Sequence, residues 1–240
     1  MNALYKLNVE HKTFYPIIQF NTNKLVKIES NKPICIINPN PNFFGFDSRF
    51  WGIKNYQYVI DSLKDKINFI AIGNNNYNAS IIPINLNNLF LDLVNKTNIS
   101  QMLNLIYQAD FVLTHESGIY HSACIPTNKH KHVIVPAGMR YTFEADKWSS
   151  PNTDIHWLTP ETNEIYYKNC FNNNDQMCIR GCIFNELHYG PVHHVENGAN
   201  CKLPTFYDGE ILSHCLYSIK PETVINLIGN ILESKNDKNN

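Results

Sequence analysis

The chain has 240 residues, of which 43% are hydrophobic and 17% are charged, and its formal net charge is −1. This composition suits one large or two small globular domains with a sizeable core. The balanced charge excludes the strong basic field that attracts nucleic acid or anionic membranes. The sequence has no run of the ~20 apolar residues that a membrane span needs and no secretory signal pattern at its start. We therefore expect a soluble, cytoplasmic protein without nucleic-acid partners.

The predicted elements begin after residues 1–32, which we expect to form an N-terminal arm or linker. From residue 34 onward, short apolar runs alternate with amphipathic segments. The predicted strands are Ile34–Asn38, Asn68–Ile72, Phe111–Thr114 and Lys131–Val135. The predicted helices are Lys54–Leu63, Ile99–Ala109 and a short helix that runs from Gly118 to about Cys124. This alternation predicts an α/β fold over residues 33–160, with a parallel sheet and helices on its faces.

The helical segments carry apolar residues at spacings of three and four. In Lys54–Leu63 these are Tyr56, Val59, Ile60 and Leu63, and in Ile99–Ala109 they are Ile99, Met102, Leu103 and Ile106. Thr97 or Asn98 is the predicted N-cap of the second segment. A last helix, over residues 218–234, has Pro221 in its first turn. Its predicted stripe is Val224, Ile225, Ile228, Ile231 and Leu232. The polar tail, residues 235–240, is predicted to be disordered.

The most informative motif is His-Glu-Ser-Gly-Ile-Tyr-His, which follows the third predicted strand. Ligands of open parallel sheets bind outside the carboxyl ends of the strands. A Ser117-Gly118 turn that opens a helix presents backbone N–H groups to an anion such as phosphate. His121, one turn further on, is placed to reach the same anion. The alternative is that Ser117 is only an N-cap and His121 an ordinary core or surface histidine.

Two charged residues near other predicted strand ends are weaker candidates. Arg49 follows the first strand and leads toward a helix, a position that suits a diphosphate, although a solvated surface charge is the simpler interpretation. Glu144 follows the last predicted strand and is placed to hold sugar or ribose hydroxyls, although lone loop carboxylates are usually just solvated. Phe50 and Trp51 are expected to be core residues. The motifs of the common phosphate loop, dinucleotide site, serine hydrolase and zinc protease are absent.

Taken together, the segments resemble the C-terminal domain of the ADP-heptose glycosyltransferases, especially the branch with autotransporter heptosyltransferases. The matching stretches are INPNPNFFGFDSRFWGIKNYQYVID, NKTNISQMLNLIYQADFVLTHESGIYHSA, VIVPAGMRYTFEA and CIRGCIF with the terminal KPETVI helix. They follow the family's order over roughly residues 33–232. Arg49 stands where the family has a phosphate-binding Lys, a change that keeps the charge but alters its geometry.

The resemblance implies a nucleotide-sugar donor site in a Rossmann-like domain, the C-terminal half of a two-domain GT-B enzyme. The implied donor-binding residues are Asn38, Arg49, Glu116, Ser117, Gly118, His121 and Glu144. Glu116 stands where many relatives have an acidic residue before the Ser/Thr-Gly pair, and here it follows a His. The family's other half binds the acceptor and supplies the catalytic base, so we assign no catalytic residue here. The expected partners are the donor, a separate acceptor-binding domain or protein acceptor, and further copies in a homo-oligomer.

Five of the seven cysteines fall between Cys170 and Cys215, and in a reducing compartment such a cluster indicates metal ligands rather than disulfides. The predicted ligands are Cys178, Cys182, Cys201 and Cys215, around one structural ion within a finger over residues 161–217. Thiolates suit zinc or iron, and the implied relatives carry a four-cysteine iron finger. The competing ligands are Cys170, His188, His193 and His194. Buried or free thiols are the alternative for the cluster, and Cys35 and Cys124 are expected to be ordinary buried residues.

Two functions follow from this sequence. The first is a glycosyltransferase donor domain that binds ADP-heptose or a related nucleotide sugar for transfer to a hydroxyl, and that is inactive alone. The alternative is a non-catalytic metal-binding module that retains the fold and uses it for structure or assembly. A thiol redox protein is disfavoured because no Cys-x-x-Cys opens a helix.

Overall fold

A computed structural model of the chain describes residues 27–39, 50–74, 85–115, 117–125, 128–136, 150–158, 204–207 and 210–237. Its main feature is a six-stranded sheet in which every pair of neighbouring strands is parallel. The strands are β1 (Ile34–Asn38), β2 (Asn68–Ala71), β3 (Leu91–Asp92), β4 (Phe111–Thr114), β5 (Lys131–Pro136) and β6 (Thr153–Leu158). The order β3-β2-β1-β4-β5-β6 is that of a doubly wound Rossmann sheet. The predicted α/β fold with a parallel sheet is therefore confirmed.

Five helices and a hairpin complete the described part of the chain. The helices are α1 (Ile53–Leu63), α2 (Ile99–Gln108), α3 (Gly118–Ala123), α4 (His214–Ser218) and α5 (Pro221–Asp237). Strands β7 (Pro204–Tyr207) and β8 (Glu210–Ser213) pair as an antiparallel hairpin. No described helix has the length and apolar character needed to cross a membrane.

The core consists of two apolar layers, one on each face of the sheet. Alternate residues of the central strands point to opposite faces, so the strands contribute to both layers. One layer includes Cys35 and Leu113 and packs against α1 and α5. The other includes Ile36 and Val133 and packs against α2 and α3. Strands β1, β4 and β5 are buried along their whole length, as is usual when helices cover both faces of a parallel sheet.

Helix α1 buries its predicted stripe and is joined to the start of α5 through Trp51. The stripe residues Tyr56, Val59, Ile60 and Leu63 are all buried. Trp51 is also fully buried, as expected, and its indole Nε1 donates a hydrogen bond of 2.8 Å to the carbonyl oxygen of Ile219. Its ring meets Tyr56 edge to face, with the centroids 5.2 Å apart. This contact fixes the turn before α1 against the C-terminal helix.

Helix α2 is capped at both ends by side chains. Asn98 is the N-cap: its side chain accepts from the backbone N–H of Gln101, and Gln101 accepts in return from the N–H of Asn98. This reciprocal pair is a capping box, and it decides between the two predicted caps in favour of Asn98. At the other end, the buried Lys131 donates from Nζ to the carbonyl oxygen of Ile106 at 3.1 Å, a favourable place for a cation.

The predicted apolar face of α2 is partly wrong. Ile99 lies in the first turn and is 74% exposed, whereas Leu105 and Ile106 are buried. Met102 is partly buried against the core. The last turns of α2 pack against the core through Leu105 and Ile106, whereas Ile99 in the first turn is exposed. Spacing alone did not distinguish these two faces.

The C-terminal segment also differs from its prediction. Helix α5 starts at Pro221 and continues to Asp237, so residues 235–237 are helical rather than part of a disordered tail. Lys235 lies in the last turn, where a cation interacts favourably with the helix end. The hairpin and α4 lie inside the segment predicted to be a finger, and Leu216 of α4 is fully buried. This part of the segment therefore packs as regular structure.

Candidate functional site

The topological switch point of the sheet lies between β1 and β4. The chain leaves β1 toward β2 on one side and leaves β4 toward β5 on the other, and β1 and β4 pair directly, with Asn38 opposite Thr114. In open α/β sheets the crevice at such a point, outside the carboxyl ends of the strands, is where ligands bind. Asn38 and the turn after Thr114 are therefore at the expected ligand position.

Asn38 ends β1 with a polar side chain that is buried. The residue is 4% exposed, and its Oδ1 has no hydrogen-bond partner within the described residues. A buried polar atom without a partner costs about 1–3 kcal/mol. Such an atom at a strand end is well suited to accept a hydrogen bond from a ligand.

His115 links the ends of the two strands, a role that the sequence did not suggest. Its side chain is buried, and Nδ1 lies 3.2 Å from the carbonyl oxygen of Asn38. A carbonyl oxygen only accepts, so Nδ1 carries the proton in this contact. The bond holds the backbone of Asn38 against β4 and thereby helps to fix the floor of the crevice.

The turn from β4 into α3 has the N-cap that the motif predicted. The Ser117 hydroxyl accepts from the backbone N–H of Ile119 at 3.2 Å, and it lies 3.4 Å from the Thr114 hydroxyl. No atom lies within 4 Å of the place that a Cβ on Gly118 would occupy. The packing of the described residues therefore does not require glycine here, and open space lies beside this backbone.

His121 lies one turn into α3. Its backbone N–H donates to the carbonyl oxygen of Ser117 at 3.1 Å, and its ring contacts Tyr120 with the centroids 5.0 Å apart. Burial lowers the pKa of His121 below its ordinary value. The imidazole is therefore neutral at neutral pH, and it can offer an anion one hydrogen bond but not a full positive charge.

The start of α1, the other predicted anion position, is occupied by a carboxylate. Glu210 of β8 is 7% exposed and accepts from the backbone N–H groups of Ile53 at 3.0 Å and Lys54 at 3.3 Å. The residue before the helix is Gly52, whose φ of 96° lies in the left-handed region and which has no side chain to serve as a cap. The side chain of Glu210, which lies 157 positions after Ile53 in the chain, serves as the cap instead. A phosphate at this turn would meet its negative charge.

The remaining predicted site residues lie outside the described part of the chain. They are Arg49, Glu116 and Glu144 of the donor site and Cys178, Cys182 and Cys201 of the finger. Cys215 lies in α4, but its side chain is outside the description. Cys35 and Cys124 are buried free thiols, as predicted.

A second polar cluster lies at the amino ends of β5 and β6, and the sequence reasoning missed it. His130, His132 and Asp154 place one nitrogen or oxygen each within 4.8 Å of one another, and His156 adjoins them. Burial lowers the pKa of His132 to about 4 and also lowers that of His156. The sequence did contain a signal for this cluster. His130 and His132 are two positions apart, as are Asp154 and His156, and residues two apart lie on the same side of a strand.

The comparisons with known proteins point to one family. A family model described as glycosyltransferase family 9 (heptosyltransferase) matches residues 8–125, which include β1 to β4 and the turn into α3. Over these residues the chain is similar to glycosyltransferase family 9. The match begins at residue 8, inside the segment predicted to be an arm. No curated protein matches the chain in sequence.

Solved structures of heptosyltransferases resemble this chain in fold. One is TibC, a dodecameric iron-containing heptosyltransferase in complex with ADP-D-β-D-heptose, with 16% identity and a TM-score of 0.52 over 88% of this chain and 48% of TibC. Another is the ADP-heptose LPS heptosyltransferase II of E. coli, with 13% identity and a TM-score of 0.49 over 87% of this chain and 49% of that enzyme. The chain therefore spans about half the length of these two structures.

Proposed function

We propose that the described domain is the donor-binding part of a heptosyltransferase-like glycosyltransferase, and that it binds ADP-heptose or a related nucleotide sugar. The observation that carries this proposal is Asn38, whose buried Oδ1 lacks a described partner at the switch point of a chain similar to family 9. TibC, which shares the fold, is described as a complex with ADP-D-β-D-heptose. Chemistry and position thus both favour a nucleotide ligand in this crevice.

The diphosphate is best accommodated at the turn from β4 into α3. At the start of α1 the carboxylate of Glu210 already accepts from two N–H groups and would repel an anion. At the other turn, the open space beside Gly118 lets a ligand approach the backbone closely. Ser117 shapes this turn, and a neutral His121 adds a hydrogen-bond donor. We assign Arg49, Glu116 and Glu144 to the same donor as the family resemblance implies.

Sugar transfer itself requires more than these residues. The chain spans about half the length of the heptosyltransferase structures it resembles, and we assign no catalytic base to the described part. In the proposed reaction an acceptor hydroxyl attacks the anomeric carbon of the donor and gives its proton to a base of the acceptor-binding part. The bond from that carbon to the diphosphate oxygen breaks, and the nucleoside diphosphate leaves. Backbone N–H groups at the turn would stabilise the charge that develops on that leaving group. The proposed partners of this domain are the acceptor, the unit that binds the acceptor, and further copies of this chain in a homo-oligomer.

The proposed finger is a second element of this function. Cys178, Cys182, Cys201 and Cys215 would hold one structural iron or zinc ion and organise the segment that leads into the hairpin. TibC, with the same fold, is described as iron-containing. A structural ion contributes folding free energy directly, so its role here is to support the domain and not to take part in transfer.

Calorimetry with ADP and ADP-heptose tests the donor site, with two matched glycine variants. Both Gly118 and Gly229 have open space around an added Cβ, so either alanine variant is expected to fold. We expect Gly118→Ala to weaken ADP binding at least about tenfold, which corresponds to roughly 1.4 kcal/mol, since the methyl group would occupy the approach to the backbone. Gly229→Ala, in α5, should bind like the parent chain.

Two outcomes would contradict the donor site. One is the absence of ADP binding at millimolar ligand by the folded parent chain, which would favour the alternative of a non-catalytic structural module. The other is equal ADP affinity for Gly118→Ala and Gly229→Ala, which would remove the turn from the site.

A further inference from the structure

The cluster of His130, His132 and Asp154 lies at the amino ends of β5 and β6, whereas the switch point lies at the carboxyl ends of β1 and β4. His132 is the second residue of β5 and Asp154 the second residue of β6, and the two are register partners. The cluster therefore joins the edge strand β6 to its neighbour at their amino ends. Nothing in the proposed donor chemistry uses these residues.

Two of the three distances between ligand atoms match those of a tetrahedral metal centre, and all three atoms lie within 4.8 Å of one another. Nε2 of His130 and Nδ1 of His132 each lie 3.3 Å from Oδ2 of Asp154. Ligands at 2.0–2.1 Å from a tetrahedral ion lie roughly 3.3 Å apart. The three side chains also differ in exposure: His132 is 8% exposed, whereas His130 and Asp154 are about half exposed. An ion could therefore enter from solvent and rest on a fixed inner ligand.

Hydrogen bonding alone leaves the cluster incompletely paired. Nδ1 of His132 approaches Oδ2 of Asp154 and also approaches Nε2 of His156 at 3.2 Å. One ring nitrogen either carries one hydrogen or accepts one, so it does not form a full hydrogen bond to both partners at once. A cation near the centre of the group would attract the lone pairs of all of them at once.

We propose that His130, His132 and Asp154 bind a divalent transition-metal ion, with zinc as the best match. Two imidazole nitrogens and a carboxylate oxygen are ligands that zinc takes in proteins, and imidazole also suits copper and nickel. His156 is near enough to complete the shell or to orient His132 from outside it. The ion would clamp β6 to β5, so its effect would be on the stability of the sheet edge. This site is separate from the proposed cysteine finger.

Metal titration of the full chain, first stripped with chelator, tests the proposal. We expect the parent chain to bind one more equivalent of zinc than Asp154→Ala or His130→Ala, and zinc to raise the thermal midpoint of the parent more than that of either variant. Asp92→Ala is the matched control, since Asp92 is an exposed aspartate on β3 at the other edge of the sheet. It should bind as many equivalents as the parent.

Cobalt(II) distinguishes this site from the cysteines. We expect Asp154→Ala and His130→Ala each to bind one equivalent of cobalt fewer than the parent. In the parent, that equivalent should show the ligand-field bands of a tetrahedral ion without thiolate-to-cobalt charge transfer. Equal zinc stoichiometry in the parent and in both variants would overturn the proposal, and so would a lost equivalent that carries thiolate absorption. Neither result depends on ADP binding or on transferase activity.

Discussion

Replacing Trp51 by Phe should destabilise the whole domain, because one indole hydrogen bond joins α1 to α5. The bond runs from Nε1 to the carbonyl oxygen of Ile219, and the side chain is fully buried. The Trp51→Phe variant leaves that carbonyl without this donor, a loss of about 1–3 kcal/mol. The smaller ring leaves a void worth roughly a further 1 kcal/mol. We therefore expect the free energy of unfolding to fall by about 2–4 kcal/mol.

Urea unfolding followed by far-ultraviolet circular dichroism measures this change. The midpoint should fall while the slope m stays the same, since the surface exposed on unfolding is nearly unchanged. A loss of this size is a substantial part of the 5–15 kcal/mol that holds a typical domain together. The variant should still show the native spectrum in the absence of urea.

Tyr56 offers the matched control, because it belongs to the same cluster. Its hydroxyl is buried and has no hydrogen-bond partner within the described residues, while its ring packs edge to face on Trp51. Tyr56→Phe removes a hydroxyl group that makes no hydrogen bond within the described residues, so we expect the free energy of unfolding to change by less than about 1 kcal/mol. If Trp51→Phe costs no more than Tyr56→Phe, the hydrogen bond to Ile219 does not stabilise this joint.

Three further predictions concern buried charge and thiols. Burial lowers the pKa of Lys131 to about 8, so the folded chain loses this proton at a lower pH than the unfolded chain does. The free energy of unfolding should therefore rise between about pH 8 and pH 10 more for the parent than for Lys131→Met in urea titrations, and an equal pH dependence of the two would contradict this. Burial raises the pKa of the Cys35 thiol and leaves it inaccessible, so mass mapping after native iodoacetamide treatment should find it unmodified until urea is added. Cys182→Ser should lower bound iron or zinc by one equivalent in elemental analysis; unchanged content would remove the proposed finger.

The sequence predicted the elements whose apolar runs are continuous and missed those at the edges of the sheet. β1 and β4 match their predicted bounds, since short buried β-branched runs between polar turns have few alternatives. β3 has only two residues, and β6 alternates polar and apolar side chains as an edge strand. Such segments depend on a neighbouring strand for pairing, and this is not visible in local sequence.

The sequence predicted the parts of the site that are formed by residues close together in the chain. The Ser117-Gly118 motif located the turn, and Asn38 followed from the family pattern. Glu210 was not predictable, because it acts on a turn 157 positions earlier and nothing in its own segment indicates that contact. His115 was part of the quoted motif, but its bond to the Asn38 carbonyl depends on the pairing of β1 with β4.

The cap that Glu210 places on α1 has a consequence for synthesis on the ribosome. All six strands of the main sheet precede Glu210 in the chain. At ordinary elongation rates, the 157 positions between Ile53 and Glu210 take on the order of 10 s to translate. For the last part of that interval, after Leu158 has been added, all six strands have been translated while the first turn of α1 still lacks its carboxylate. We therefore expect the start of α1 to reach its final geometry late, and the nascent chain to remain open to chaperones there.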